Sequence, residues 1–456
     1  MSLSARTVRG VMWSGGAQWG KQLSNIVTTI VLAHLLAPGD FGLLAMAAVF
    51  TGLFISASDL GLGSALVQAG DPAAGEFNSA FWVSAGLGVA SYVLTLAIAP
   101  VVASFYGIPE LQKLLGVLGL GLIGTSLCIV QQSKLTRELD FRRIAFVEVL
   151  SSAFGAGAGI SAAVLGMGVY SLVIQSLGMI YCSAVMYWRS SPWRPSFRFE
   201  GFGGGTLLRY GAHLAGFNIV NYVARNVDYL LIGRFLGAEQ LGYYSLAYRL
   251  MLFPLQNISA VLGRVVFPAF SVRQNDDRKL QDAFLRLSRY VALLSFPLMC
   301  GVFVAAPELV DVVFGPSWTL AAPLVQILSV VGMVQSLGTN TGSIYLAKGR
   351  TDLMFRWGVA ATAVMTACIA WGVQWGVREV ALGYAFANLL LFYPGVAIPF
   401  SLVGGRFSDL VRSLLPILAL SLSTALIVLL VPRTVRATSR RRPMRRPGAH
   451  RSERDR

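Results

Sequence analysis

Two groups of polar side chains recur two hundred residues apart, inside stretches that are otherwise apolar. The groups are Gln18, Lys21, Asn25 and Thr28, and Asn218, Asn221, Arg225 and Asp228. Spacings of three, four and three residues put each group on one face of a helix. Such a face is costly against lipid, so it should contact protein or a water-filled space. Lys21 and Arg225 would make that space cationic, which suits an anionic ligand.

Some of these residues allow a second interpretation. Asp228 lies one turn beyond Arg225, so the two could form a structural salt bridge, and Lys21 could tie two helices together. Asp59, an isolated acid, could bind a proton or a cation, or hydrogen-bond to a neighbouring helix. The predicted substrate-binding residues are Lys21, Arg225, Asn25, Gln18, Asn218 and Asn221. Asp228 and Asp59 are predicted to couple an ion or to form structural pairs.

Other reactive side chains are scattered. Three further arginines, Arg234, Arg249 and Arg264, are predicted near helix ends, where a long side chain reaches the membrane surface. The cysteines and histidines are Cys128, Cys182, Cys300, Cys368, His34, His213 and His450. None of them pairs at metal or redox spacing, so the sequence predicts no metal, no cofactor and no catalytic group.

The elements that carry these residues must be membrane helices. Of the 456 residues, 55% are hydrophobic and only 13% charged, against about a quarter charged in soluble domains. Apolar stretches of about 20 residues, long enough to cross a bilayer as helices, recur along the chain. The thirteen predicted spans are 12–36, 41–67, 78–105, 111–131, 145–166, 168–188, 210–236, 241–270, 288–306, 319–347, 355–376, 380–402 and 410–431. We therefore expect an all-α polytopic membrane protein.

The net charge of +16 does not indicate nucleic-acid binding, because the basic residues are placed according to membrane topology. Basic residues such as Lys134, Arg143 and Arg278 concentrate in the connections after even-numbered spans. The opposite connections hold Lys113 and Arg378. By the positive-inside rule, the N-terminus and the basic connections are predicted to be cytoplasmic.

The C-terminal segment departs from that rule. Ten arginines lie between residues 433 and 456, although an odd number of spans would place this segment outside. Either 410–431 does not fully cross, or a following span is missing. The arginine- and proline-rich composition predicts a disordered tail over 432–456.

A repeated turn explains the two hundred-residue offset. The stretch "LLAPGDFGLLAMA" (35–47) matches "FLGAEQLGYYSLA" (235–247), and Leu36, Gly42 and Ala47 fall on Leu236, Gly242 and Ala247. Six spans separate the copies, so both keep the same topology, as in transporters with two similar halves. We expect two pseudo-symmetric six-helix lobes around a central cleft. The predicted boundaries are 1–200, 201–405, an extra helix at 406–431 and the tail at 432–456.

Longer motifs resemble a known family. They are "LAHLLAPGDFGLLAMA", "DLGLGSALVQ", "KLTRELDFRRIAFVE", "VDYLLIGRFLGAEQLGYYSLAYRL", "FPAFS" and "FGPSW". Together they resemble the Wzx-type polysaccharide exporters, the lipopolysaccharide biosynthesis flippases of the multidrug/oligosaccharidyl-lipid/polysaccharide flippase superfamily. The resemblance covers about residues 5 to 420.

This resemblance implies a bacterial inner-membrane flippase, not an enzyme. It implies that an undecaprenyl-pyrophosphate-linked oligosaccharide moves from the inner to the outer leaflet by alternating access. A polysaccharide polymerase and a chain-length regulator are the expected protein partners. Two alternatives stay open, a multidrug or cation antiporter of the same superfamily and a membrane-embedded polymerase or glycosyltransferase.

Overall fold

The computed structural model describes residues 3–58, 63, 66–67, 74–196, 219, 221–272, 277–338 and 341–430. Within these ranges the regular structure is helical throughout. The expectation of an all-α membrane protein is confirmed.

The described residues of the first half contain seven helices of more than one turn. They are α1 (Leu3–Leu35), α2 (Pro38–Ser58), α3 (Ala74–Tyr106), α4 (Glu110–Ser126), α5 (Ile129–Arg137), α6 (Phe141–Val164) and α7 (Tyr170–Ser190).

The described residues of the second half hold a short helical stretch at 221–225, six long helices, one short helix and two short turns. The helices are α8 (Val227–Val272), α9 (Asp277–Leu309), α10 (Ala321–Gly338), the short α11 (Gly342–Ala347), α12 (Thr351–Val373), α13 (Val377–Ser401) and α14 (Phe407–Leu430). A π-helical turn, Val310–Phe314, and a 3₁₀ turn, Pro316–Trp318, join α9 to α10.

Helix is the form that these apolar stretches must take, because backbone groups facing lipid need partners within the segment. Ten helices of the described chain are long and apolar enough to cross a membrane. They correspond to ten of the thirteen predicted spans. The other three are spans 1, 7 and 8. Span 1 is less apolar because it holds the polar stripe from Gln18 to Thr28, whereas residues 210–218 of span 7 lie outside the described residues. The tail predicted over 432–456 lies outside the described residues.

Packing gathers the helices into two groups. In the first half α6 packs on α7 and α1, and α4 packs on α3 and α7. In the second half α9 packs on α10 and α14, and α13 packs on α12 and α10. The two halves meet mainly where α2 packs along α8. The exact lobe boundaries remain predictions.

The two copies of the repeated turn end their helices differently. After α1, the Asp40 carboxylate accepts a hydrogen bond of 3.0 Å from the Ala37 backbone N–H, and Pro38 starts α2. In the second copy, Gly237 breaks α8 with φ 86° and ψ 178°. A residue with a side chain rarely adopts this conformation, so glycine is needed here.

The two turns dock on one another through glycine. A Cβ placed on Gly42 would overlap the carbonyl oxygen of Ala238, and a Cβ on Gly242 would overlap that of Pro38. These four residues are called the glycine seam. The contact is reciprocal, because the offset of two hundred maps Pro38 onto Ala238 and Gly42 onto Gly242. The matching turns therefore mark the surface on which the halves meet.

An aromatic cluster surrounds the seam. Trp318 is fully buried, with its ring centroid 5.1 Å from Phe41 and 6.0 Å from Tyr243 in edge-on geometry. Its indole N–H donates to the Ala33 carbonyl oxygen at 2.9 Å. One side chain of the second half thus caps the end of α1 and joins α2 to α8.

Substitution of Gly42 by alanine should separate the halves at the seam. A methyl group forced against backbone costs about 1–3 kcal/mol, enough to shift a two-state equilibrium away from the closed arrangement. Spin labels at the exposed positions Leu35 and Val312 would report the separation in a cysteine-free background. We expect a longer, broader distance distribution than in the parent.

Gly39→Ala is the matched control, because Gly39 lies in the same turn and a Cβ there would meet no atom within 4 Å. Its distance distribution should equal that of the parent. Unchanged distances in Gly42→Ala would show that the seam does not hold the halves together.

Candidate functional site

A cavity of about 610 Å³ lies between the halves, next to the aromatic cluster. Its walls come from α1, α2, α6 and α7 on one side and from α8, α9 and the π-helical turn on the other. The polar lining residues are Gln22, Asn25, Thr29, Ser152, Gln175, Ser176 and Arg249. Amides and hydroxyls of this kind can hydrogen-bond to a polar ligand such as a sugar.

Arg249 is the charged group among these lining residues, and no carboxylate accompanies it there. At about 1.5 Å per residue, it lies roughly 18 Å along α8 from the break at Gly237. That depth is near the middle of a hydrocarbon core of about 30 Å. The prediction that Arg249 lies at a helix end was wrong, because α8 continues to Val272.

Apolar side chains close the cavity at the seam end. Leu32, Phe41 and Phe314 line it there, and all three are buried. Trp318 packs behind Phe41. In this conformation the glycine seam and the aromatic cluster together separate the cavity from that end of the molecule.

The predicted stripe on α1 is partly displaced. Asn25 lines the cavity, and its neighbours on that wall are Gln22 and Thr29. Gln18 is exposed and one turn closer to the N-terminus, and Lys21 is half-buried. Thr28 is buried and donates to the Ser24 carbonyl oxygen at 2.6 Å, so it turns back onto its own helix.

The predicted stripe on span 7 does not form one face. Asn226 interrupts the helix between 221–225 and α8, and its side-chain amide donates to the Tyr222 carbonyl oxygen at 2.8 Å. Arg225 and Asn221 are exposed on one side of this bend, whereas Asp228 is 3% exposed on the other. The proposed salt bridge between Arg225 and Asp228 is therefore wrong.

Asp228 instead belongs to a buried tyrosine network. Its carboxylate accepts from the Tyr244 hydroxyl at 3.0 Å and from the Tyr229 backbone N–H at 2.9 Å. Tyr244 and Tyr248 stack at 5.9 Å. The Tyr248 hydroxyl reaches that of Tyr384 on α13 at 3.4 Å. The network thus links α8 to α13 inside the second half.

Two predicted site residues, Asn218 and Asp59, lie outside the described residues. Among the described residues, no group of three or more histidine, cysteine or acidic side chains could hold a metal ion. The described part of the site is a largely apolar cavity whose wall also presents amides, hydroxyls and one deep cation.

This architecture has known relatives. The chain matches the polysaccharide biosynthesis protein family over residues 31–323. The chain belongs to this family. It is 30% identical over 397 residues to the lipopolysaccharide biosynthesis protein WzxC of Escherichia coli, covering 86% of this chain and 80% of that protein. It is 28% identical to the teichuronic acid biosynthesis protein TuaB of Bacillus subtilis, covering 86% and 82%.

Solved structures share the fold of this family member at low identity. A lipid II flippase MurJ in an inward closed conformation aligns with a TM-score of 0.67 and 15% identity, covering 95% of this chain and all of that one. An inward-facing MATE multidrug transporter aligns with a TM-score of 0.62 and 17% identity, covering 86% and 96%. The predicted resemblance to polysaccharide exporters is confirmed by the family match and by WzxC, and the solved structures show that the fold is shared.

Sequence reasoning missed Gln22, Gln175, Ser176 and Arg249. For Arg249 a usable signal existed, because counting residues from Gly237 would have placed it at mid-membrane depth. Gln22, Asn25 and Thr29 are spaced by three and four residues, so the cavity face of α1 also follows helical periodicity. For Gln175 and Ser176 no sequence signal separates cavity lining from helix contact.

Loss of the Tyr244 hydroxyl should destabilise the second half. Tyr244→Phe would leave the buried Asp228 carboxylate without its side-chain donor, which costs about 1–3 kcal/mol. We expect a lower Tm of the purified protein in detergent.

Tyr243→Phe is the control, because the Tyr243 hydroxyl donates to the exposed Glu239 carboxylate at 2.9 Å and water can replace it. Its Tm should stay near that of the parent. Equal Tm values for the two variants would contradict a structural role for the Asp228 network.

Proposed function

We propose that this chain is a flippase that moves a lipid-linked oligosaccharide from the inner to the outer leaflet of the bacterial cytoplasmic membrane. The observation that carries the proposal is Arg249, a deep cation that lines the cavity between the two halves together with amide and hydroxyl side chains. The names of WzxC and TuaB, which refer to surface polysaccharide biosynthesis, support it.

The chemistry of the cavity fits a pyrophosphate that carries sugars. A diphosphate cannot cross hydrocarbon without compensation of its charge. At an effective dielectric near 20, a cation 4 Å from an anion contributes about 4 kcal/mol. Arg249 supplies that cation, and Gln22, Asn25 and Gln175 can pair with sugar hydroxyls. The isoprenoid stays in lipid, passing between the halves, so no covalent step is required.

A second set of groups lies along the route to the cavity. Gln18 continues the face of Gln22 and Asn25 toward the N-terminal end of α1, and it is exposed there. Lys21 flanks this face. We assign both to capture of the headgroup before it reaches Arg249. Arg225 and Asn221, which are exposed beside the bend at Asn226, serve the same capture step from the second half.

The direction follows from the positive-inside rule. With the basic connections in the cytoplasm, the glycine seam faces outward, and the cavity is closed on that side in this conformation. Transport requires that the seam open while the opposite end closes, which is alternating access. The observed arrangement is the state that receives substrate from the inner leaflet.

The cavity favours this function over export of cationic drugs. A binding site for a cation is expected to present carboxylates, whereas the described lining presents an arginine and no acid. Asp228 is a buried acid on the same helix as Arg249, but its carboxylate already accepts a hydrogen bond from the Tyr244 hydroxyl. We assign Asp228 a structural role in the second half.

Arg249→Gln should reduce flipping roughly tenfold to a hundredfold, because a charge-assisted hydrogen bond contributes about 1.5–3 kcal/mol. The measurement is the rate at which a fluorescent undecaprenyl-pyrophosphate oligosaccharide changes leaflet in proteoliposomes. Arg249→Lys should recover part of the rate.

Arg234→Gln is the matched control, since Arg234 is exposed on the same helix, with its guanidinium 5.6 Å from the Phe105 ring centroid. It should keep the parental rate. A parental rate in Arg249→Gln would refute the proposed site.

Lys21→Gln should slow capture more than translocation. A flanking cation raises the local concentration of an anion through long-range attraction, which salt screens. We expect a higher apparent KM, a nearly unchanged maximal rate, and a defect that shrinks between low and high ionic strength. If Lys21→Gln instead lowered the maximal rate by an amount that did not depend on ionic strength, Lys21 would belong to the binding site itself.

A further inference from the structure

We infer that a groove between α1 and α6 binds an anionic phospholipid of the cytoplasmic leaflet as a resident ligand, separate from the transport cavity. The groove encloses about 830 Å³. Its lining residues are Trp13, Gly16, Ala17, Gly20, Asp140, Arg142, Arg143, Ala145, Phe146, Val149 and Ser190. This site goes beyond the proposed flippase function and does not depend on it.

Among the described lining residues of the groove, Arg142 is the cation that remains available to a ligand. Arg143 already has partners for its guanidinium, which forms an ion pair with Asp140 at 3.1 Å and donates to the Ser190 carbonyl oxygen at 3.1 Å. Arg142 is exposed, and no carboxylate of the described chain lies within ion-pairing distance of it. Its guanidinium stands 5.7 Å from the Trp13 ring centroid. An arginine beside an indole at the predicted membrane surface suits a phosphate headgroup.

Glycine opens the groove toward the bilayer. A Cβ on Gly20 would meet Val149 at 3.2 Å, and a Cβ on Gly16 would meet open space. The absence of side chains at these two positions leaves a channel between α1 and the wall formed by Phe146. That residue is 64% exposed, so an apolar surface is available to an acyl chain.

The apolar channel continues along both helices. On α1, Leu23 and Val27 follow Gly16 and Gly20 at helical spacing and are 64% and 49% exposed. On α6, Leu150 and Phe154 follow Phe146 and are also exposed. A headgroup site at one end and an apolar furrow beyond it match the shape of a phospholipid.

The groove lies on the opposite side of α1 from the transport cavity. At about 100° per residue, Gly16 points roughly 180° away from Asn25, and Gly20 roughly 160° away from Gln22. Both walls of the groove also belong to the first half. A lipid there would keep its contacts when the halves move, whereas a transported lipid must lose them. The geometry therefore favours a resident phospholipid over the substrate.

Native mass spectrometry of the delipidated full-length protein tests the assignment with phosphatidylglycerol and phosphatidylcholine as probes. We expect the parent to prefer phosphatidylglycerol. Arg142→Gln should weaken phosphatidylglycerol binding about fivefold, the effect of one basic residue at an anionic surface. Gly16→Leu, which has room for its side chain, should weaken both lipids by filling the groove while keeping the charge.

Arg356→Gln is the matched control, because Arg356 is an exposed arginine at the same predicted membrane face on α12 of the second half. It should bind phosphatidylglycerol like the parent. Equal affinities for Arg142→Gln and Arg356→Gln would overturn the site. Displacement of phosphatidylglycerol from the groove by undecaprenyl pyrophosphate would overturn the resident assignment and make the groove part of the substrate route.

Discussion

The arrangement of the whole molecule depends on one contact, the reciprocal approach of two backbones at the glycine seam. Gly42 lies against the Ala238 carbonyl and Gly242 against that of Pro38. Because neither position has room for a Cβ, α2 and α8 approach more closely than side chains would allow. Small residues have this role in membrane helix packing generally, since lipid gives no hydrophobic drive between helices. The close approach holds α2 against α8, and the cavity lies beside this contact, between the two halves.

The membrane accounts for which helices surround that cavity. Most helices expose apolar side chains such as Trp371 and Phe386, as lipid requires. Helix α1 carries amides and a lysine instead, and within the described residues it is not among the helices that qualify as membrane spans by hydropathy. A polar helix face can cross the bilayer only if it meets protein or water. The polar face of α1 and Arg249 of α8 both line the cavity between the halves.

Much of this fold could be predicted from sequence. Apolar length predicted where helices cross, because lipid imposes that constraint on each segment locally. The repeated turn predicted two similar halves, whereas the docking of its two copies through Gly42 and Gly242 was found only in the structure. The stripe of span 7 was wrong for a physical reason. Asn226 bonds back to Tyr222, and one bend sends Arg225 outward and Asp228 inward. A periodic pattern assumes an unbroken helix, and side-chain bonding of this kind leaves no periodic signal.

Arg249 was misplaced by a different error, in which depth was judged from a predicted span boundary. The break at Gly237 and the length of α8 set its depth, and counting residues from Gly237 would have given that depth from the sequence.

The seam also has the properties that a gate needs. The glycine seam has a specific shape, but van der Waals contact and aromatic packing hold it closed. The described hydrogen bonds that cross it include Trp318 to Ala33 and Tyr222 to Ala48, each contributing about 1 kcal/mol net. A gate held by buried ion pairs would need to rehydrate charges on opening. Because the seam consists of two closely packed backbones, it can open at a modest free-energy cost. It closes again in a single register, because only that register places both glycines against both carbonyls.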